Sequence, residues 1–224
     1  TDISKLDLNY DVGELVIKAG DTLKVEGTDL PETFKATNEG GTLLVGSYMN
    51  SSSRDLFTAK GKDGKYPRLT LTLPPTLKFQ DCALSLGAGE TTLSDLNTNN
   101  LKLDMGAGTF TGNNITANKA DFSSGAGKID LTAMNLNDLN LDGGVGATNY
   151  EGKLTGNCHL TSGMGETNLE LTGNVNDYAI NAEDGVGGIT VNNTSYDKAT
   201  YNKAGAPNQL DIENGVGTFN IRFK

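Results

Sequence analysis

One short word, Gly-x-Gly, recurs at a fixed spacing and constrains this chain more than any other feature. It stands at Gly87-Ala88-Gly89, Gly106-Ala107-Gly108, Gly125-Ala126-Gly127, Gly144-Val145-Gly146 and Gly163-Met164-Gly165, each 19 residues after the last. Two looser copies follow at Gly185-Val186-Gly187 and Gly215-Val216-Gly217, after gaps of 22 and 30 residues. A fixed period of about 20 with strand-type alternation predicts a solenoid, in which each repeat is one coil stacked on the last. Stacking then places equivalent residues above one another, so the sequence can be read in columns.

With the first glycine as position 0, the column at −5 reads Cys82, Leu101, Ala120, Leu139, Cys158, Ile180, Leu210. The column at −3 reads Leu84, Leu103, Phe122, Leu141, Leu160, Ala182, Ile212. Successive side chains of a strand alternate between faces, so these odd offsets point inward. The middle of the word, from Ala88 and Ala107 to Val186 and Val216, shares that parity and is expected inward as well. Past the word the apolar positions become even, at +4 (Phe110, Ile129, Ile189, Phe219) and +6 (Leu93, Leu131, Val191, Ile221). That change of phase requires a bend, and the second glycine supplies it, because glycine lacks the Cβ that would crowd a corner. Leu96, Ile115 and Met134 at +9 suggest a further face. The residues after each word read as strand rather than helix, which excludes a dinucleotide-binding reading of the glycines.

The chain of 224 residues reads as one domain, 1–224, all-β, a parallel β-solenoid with coils of about 19 residues and an N-terminal β cap. Residues 1–80 form the N-terminal coil and cap, 81–191 the regular coils, 192–209 an inserted loop and 210–224 the last coil, giving seven or eight coils stacked in chain order. Leu6, Leu8, Tyr10, Val12 and Gly13 repeat the coil pattern ahead of the exact repeats. Asn50–Ser53 and Lys60–Lys65 read as exposed loops inside the cap. Asn99, Asn118 and Asn137 at +12 predict a hydrogen-bonded asparagine ladder, and Lys102 at −4 is expected to pair with Asp121 on the next coil.

The two cysteines, Cys82 and Cys158, share one inward column four periods apart. Four coils span about 19 Å, whereas a disulfide needs Cα atoms within about 7 Å, so two free, buried thiols are expected. A net charge of −10 with no basic cluster excludes nucleic acid and anionic membrane surfaces as partners. No apolar run reaches the ~20 residues that span a bilayer, so membrane association is expected only through a tether absent from this chain.

Candidates for chemistry are few. His159, the single histidine, lies between two inward residues and is expected on the surface, and no metal or cofactor site is expected. At −2, Glu183 and Glu213 fall one coil apart if the coils adjoin, about 5 Å, and Asp104 and Asp142 two coils apart, about 10 Å. Such separations suit retaining and inverting glycoside hydrolysis, but no aromatic or arginine residues converge on these acids. The 192–209 loop carries Tyr196 and Tyr201 among polar residues, a pattern that fits ligand binding or a cap over the last coil.

Three stretches together resemble the bacterial putative-adhesin domain family. They are Leu6-Asp7-Leu8-Asn9-Tyr10-Asp11-Val12-Gly13-Glu14-Leu15-Val16-Ile17, the strand Leu69-Thr70-Leu71-Thr72-Leu73-Pro74, and the Leu-x-Leu-x-Gly-Ala-Gly coils from Leu84 onward. The resemblance implies a β-solenoid displayed at the bacterial cell surface and brings no catalytic residues. The function expected is a non-catalytic surface or extracellular module that presents a rigid acidic β surface to a polysaccharide or protein ligand. Two alternatives stand beside it: a carbohydrate-active β-helix enzyme using outward carboxylates, and a structural spacer or cell-envelope stress component.

Overall fold

A computed structural model describes residues 2–47 and 65–224. The strands in chain order are β1 (Lys5–Ala19), β2 (Lys24–Thr28), β3 (Phe34–Glu39), β4 (Thr42–Ser47), β5 (Arg68–Leu73), β6 (Phe79–Asn137), β7 (Leu139–Thr155), β8 (Asn157–Leu171), β9 (Tyr178–Val191), β10 (Thr194–Ser195) and β11 (Asn208–Phe223), with a 3-10 turn (Val175–Asp177) before β9 and a short α-helix, α1 (Lys198–Tyr201), before β11. The long β6 holds three coils that run on without a break. The predicted stretches Asn50–Ser53 and Lys60–Gly64 lie outside the described residues.

The architecture is the expected all-β solenoid, and each regular coil has three inward-facing segments. Leu84 and Leu103 at −3 and Phe110 and Leu131 at +4 and +6 are all at most 2% exposed, and Ile115 and Met134 line the third segment with Leu136. The second corner falls at +8, where Asp95, Asn114 and Ala133 take left-handed φ of 58°, 53° and 53°. Asp and Asn tolerate that conformation better than most residues, and Asn114 Nδ2 donates to Asp95 Oδ1 at 2.7 Å from one coil to the next.

The first corner corrects one expectation. The middle of the word points outward: Val145, Met164, Val186 and Val216 are 55, 54, 68 and 48% exposed. The bend begins at the first glycine, so the last inward residue is at −1, where Leu86 and Met105 are buried. The glycines on either side leave no room for a side chain. A Cβ placed on Gly146, for instance, would lie 1.7 Å from the carbonyl oxygen of Gly127 on the coil below.

The order of the coils corrects a second expectation. The last strand in the chain, β11, lies between β8 and β9, pairing Leu210 with Cys158 on one side and with Ile180 on the other. At the opposite end β1 lies between β6 and an end rung shared by β4 and β5, pairing Leu6 with Cys82 and Leu43, and Leu15 with Leu69. Along the first face the rungs therefore run Leu43, Leu6, Cys82, Leu101, Ala120, Leu139, Cys158, Leu210, Ile180, which among the described residues are the cap strand β4 followed by eight coils, within the expected number. The N-terminal end is closed by antiparallel partners, β3 on β4 and β2 on β5.

The Asn99 ladder forms as predicted. Asn99 Nδ2 donates to Gln80 Oε1 at 2.7 Å, Asn118 Nδ2 to Asn99 Oδ1 at 3.1 Å, and Asn137 Nδ2 to the Asn118 carbonyl at 3.1 Å. Lys102 makes its close ion pair with Asp104 rather than with Asp121, which attracts it only from farther off. It lies 3.1 Å from Asp104 on its own strand, while Asn140 Nδ2 donates to Asp121 at 3.0 Å.

Cys82 and Cys158 are free and buried. Burial pushes the Cys82 thiol up to about 12 and that of Cys158 to about 11. A thiol kept neutral in the fold but free to ionise when unfolded stabilises less as pH rises. That contribution is fully present below about pH 9 and is lost as pH rises towards 11–12. The melting temperature is therefore expected to fall over this window, and Cys82→Ala/Cys158→Ala to flatten the fall. At pH 8 a thiol-specific reagent should label the native protein far more slowly than the denatured chain.

Candidate functional site

An open hollow lies on the outer side of the second face, where β6, β7, β8 and β11 run side by side. It is about 550 Å³ in volume. Its floor is a ladder at position +5 that crosses five coils. Asn149 Nδ2 donates to Asp130 Oδ1 at 2.7 Å, Asn168 Nδ2 to Asn149 Oδ1 at 3.1 Å, and Asn220 Nδ2 to Asn168 Oδ1 at 3.0 Å. Beyond the hollow, Thr190 Oγ1 donates to Asn220 Oδ1 at 2.9 Å. Rungs in a sheet repeat every ~4.8 Å, so the floor presents one amide or carboxylate per rung, each held by its neighbours.

Acidic side chains wall this floor, and each charge has a partner. Partial burial works to raise the Asp130 carboxyl, but hydrogen bonds from Lys128 and Asn149 outweigh it and hold the group below the usual carboxylate range. Lys224 Nζ lies 3.2 Å from Glu151 and also pairs with Glu170. The Lys224 contact holds the Glu170 carboxyl low and the Lys224 ammonium high. Glu166 accepts from Asn168 Nδ2 at 3.1 Å. Side chains tied down in this way lose little rotamer freedom when a ligand arrives, which lowers the cost of binding.

The residues singled out in the sequence lie elsewhere. Glu183 and Glu213 face each other directly on β9 and β11, because β11 adjoins β9. Both are exposed on the outer first face, and neither lines the hollow. Tyr196 and Tyr201 are half-buried over the end of β9, their rings stacked with centroids 6.1 Å apart. The Tyr196 hydroxyl donates to the Ile180 carbonyl at 3.0 Å and accepts from the Ala182 N–H at 3.1 Å, and the Tyr201 hydroxyl donates to the Val191 carbonyl at 3.4 Å. Both hydroxyls thus satisfy edge groups of an end strand. His159 is exposed, its Nε2 3.4 Å from Thr161 Oγ1. Among the described residues no three His, Cys, Asp or Glu side chains gather into a metal-binding group.

Sequence reasoning missed the +5 ladder. Its signal was Asn149 and Asn168 at the 19-residue spacing, but the ladder continues through Asn220 before Thr190, out of chain order.

The sequence model of the Toastrack DUF4097 family matches residues 3–222. The chain belongs to this family. In chain order the match runs from ahead of β1 into the end of β11, and so takes in every strand of the described Toastrack domain. No curated protein matches the chain. Two solved structures are similar to it. One is a "putative cell adhesion protein" from Clostridium sporogenes, 20% identical, with a TM-score of 0.40. The other is a "putative adhesin" from Bacteroides fragilis, 12% identical, with a TM-score of 0.47. Each alignment covers 100% of this chain and 93% of the other.

Proposed function

We propose that this Toastrack domain is a non-catalytic binding module working at the outer surface of a bacterial cell. The hollow on the second face holds a polar polymer, a polysaccharide chain or an extended protein segment. The observation that carries this reading is the +5 ladder, a row of hydrogen-bonding groups fixed one per rung along the floor of this hollow. A ligand with its own repeating polar groups can meet several of them at once, and little side-chain ordering remains to oppose binding. The acidic surface keeps such a module soluble. No helix among the described residues is long and apolar enough to cross a membrane.

The test is retention on immobilised bacterial, plant and mucin polysaccharides and on surface proteins. Asn149→Leu is expected to weaken retention about tenfold or more, the equivalent of ~1.4 kcal/mol. Asn118→Leu breaks the other ladder, away from the hollow, and should leave retention unchanged. Equal effects of both variants, or retention by neither variant nor wild type, would remove the hollow as the site.

A second reading rests on the Glu183–Glu213 pair, whose rung spacing of about 5 Å matches the carboxylate separation of retaining glycosidases. Release of reducing ends in the same wells, abolished by Glu183→Gln or Glu213→Gln, would favour the enzyme.

A further inference from the structure

The stack is closed unevenly at its β9 end. The inner side of β9 pairs with β11 along its whole length, from Tyr178 to Val191. On the outer side β10 pairs only with Thr190 and Val191. The Tyr196 N–H donates to the Ile189 carbonyl at 2.9 Å, and the Tyr196 hydroxyl reaches back to Ile180 and Ala182. Between these two covered stretches runs Glu183-Asp184-Gly185-Val186-Gly187, exposed throughout and with no strand beside its outer side among the described residues. The column at −1 marks the opening. Leu86, Met105, Ser124, Ser162 and Asn214 are buried there, whereas Asp184 is exposed because no further rung covers it.

We propose that this uncovered edge is a docking site for an extended, basic peptide segment, which adds to β9 as one more rung. Three properties fix the class of partner. An open strand edge presents backbone N–H and C=O groups in a row, and another extended backbone is the group that can satisfy them in series. Val186, the fourth residue of the stretch and 68% exposed, offers an apolar contact. Glu183 and Asp184 precede it, with Glu213 opposite Glu183 on the next rung, and Asn214 Nδ2 donates to Asp184 at 2.8 Å. These acids admit lysine or arginine side chains. They also oppose a second copy of the chain laid edge to edge, which would set the same acids against one another in a molecule of net charge −10.

The test uses the full chain and a labelled peptide of alternating lysine and valine, read by fluorescence anisotropy. Saturable binding is expected, weakening steeply with added salt. Glu183→Lys/Asp184→Lys should weaken it about tenfold or more, as should N-methylation of alternate peptide nitrogens, which leaves the charge intact but blocks strand pairing. Hydrogen-exchange protection should appear in 183–187 when the peptide is bound. Absence of binding, equal binding of the N-methylated peptide, equal binding by the charge-reversed protein, or displacement of the peptide by self-association in sedimentation would each overturn the proposal. The double variant lies on exposed positions, and an unchanged melting temperature confirms that its fold is intact.

Discussion

Gly146→Ala is expected to destabilise the protein by about 4 kcal/mol or more, at the far end of the range for a single substitution. Two effects add there. The residue has φ of +147°, a region that residues with a Cβ rarely adopt. A Cβ would also sit 1.7 Å from the carbonyl oxygen of Gly127, and that oxygen belongs to backbone paired on both sides. Gly188 separates the two effects. It has the same φ of +147°, yet nothing lies within 4 Å of a Cβ built on it. Gly188→Ala should therefore cost only the conformational strain, about 1–3 kcal/mol. Urea unfolding of the two variants measures the difference directly. Equal losses would mean that backbone conformation, not the closeness of the coils, sets the glycine requirement.

Truncation after Pro207, which removes β11, is expected to unfold the C-terminal third of the stack rather than trim one end. β11 is an internal rung, and its loss leaves β9 without its neighbour and opens the side of β8. It also removes Leu210, Ile212, Phe219 and Ile221, each at most 2% exposed. At about 1.5–3 kcal/mol per buried side chain, their loss comes to roughly 6 kcal/mol or more, comparable with the whole stability of many domains. Hydrogen exchange should show protection lost in 157–171 and 178–191 while 81–137 keeps more of its own, since stacked repeats depend chiefly on nearest neighbours. Phe219→Ala, a milder version of the same experiment, should cost about 3–5 kcal/mol. If truncation left β9 fully protected, β9 would have to pair with β8 directly, in the chain order that the sequence suggested.

The columns at −5, −3, +4 and +6 were legible because stacking turns a sequence period into contacts: whatever recurs every 19 residues lies directly above itself. The Asn99 ladder and the free thiols followed from the same register. The parity of the first corner was not legible. Alternation extends Leu84 and Leu86 naturally to Ala88, and only the bend at Gly87 turns Ala88 outward. The two tyrosines of the loop were visible, but their hydroxyl contacts with Ile180, Ala182 and Val191 depend on which strand ends the stack.

The sequence by itself therefore determined what one coil is: its inward residues, its glycine corner and its length. The tertiary structure alone decided which coil lies beside which. Every coil carries the same columns, so local pattern allows β9 to follow β8 as readily as β11 does. The choice rests on contacts between residues far apart in the chain, such as Asn168 with Asn220 and Asn220 with Thr190. The floor of the hollow and the open edge of β9 both exist because β11 took the inner place.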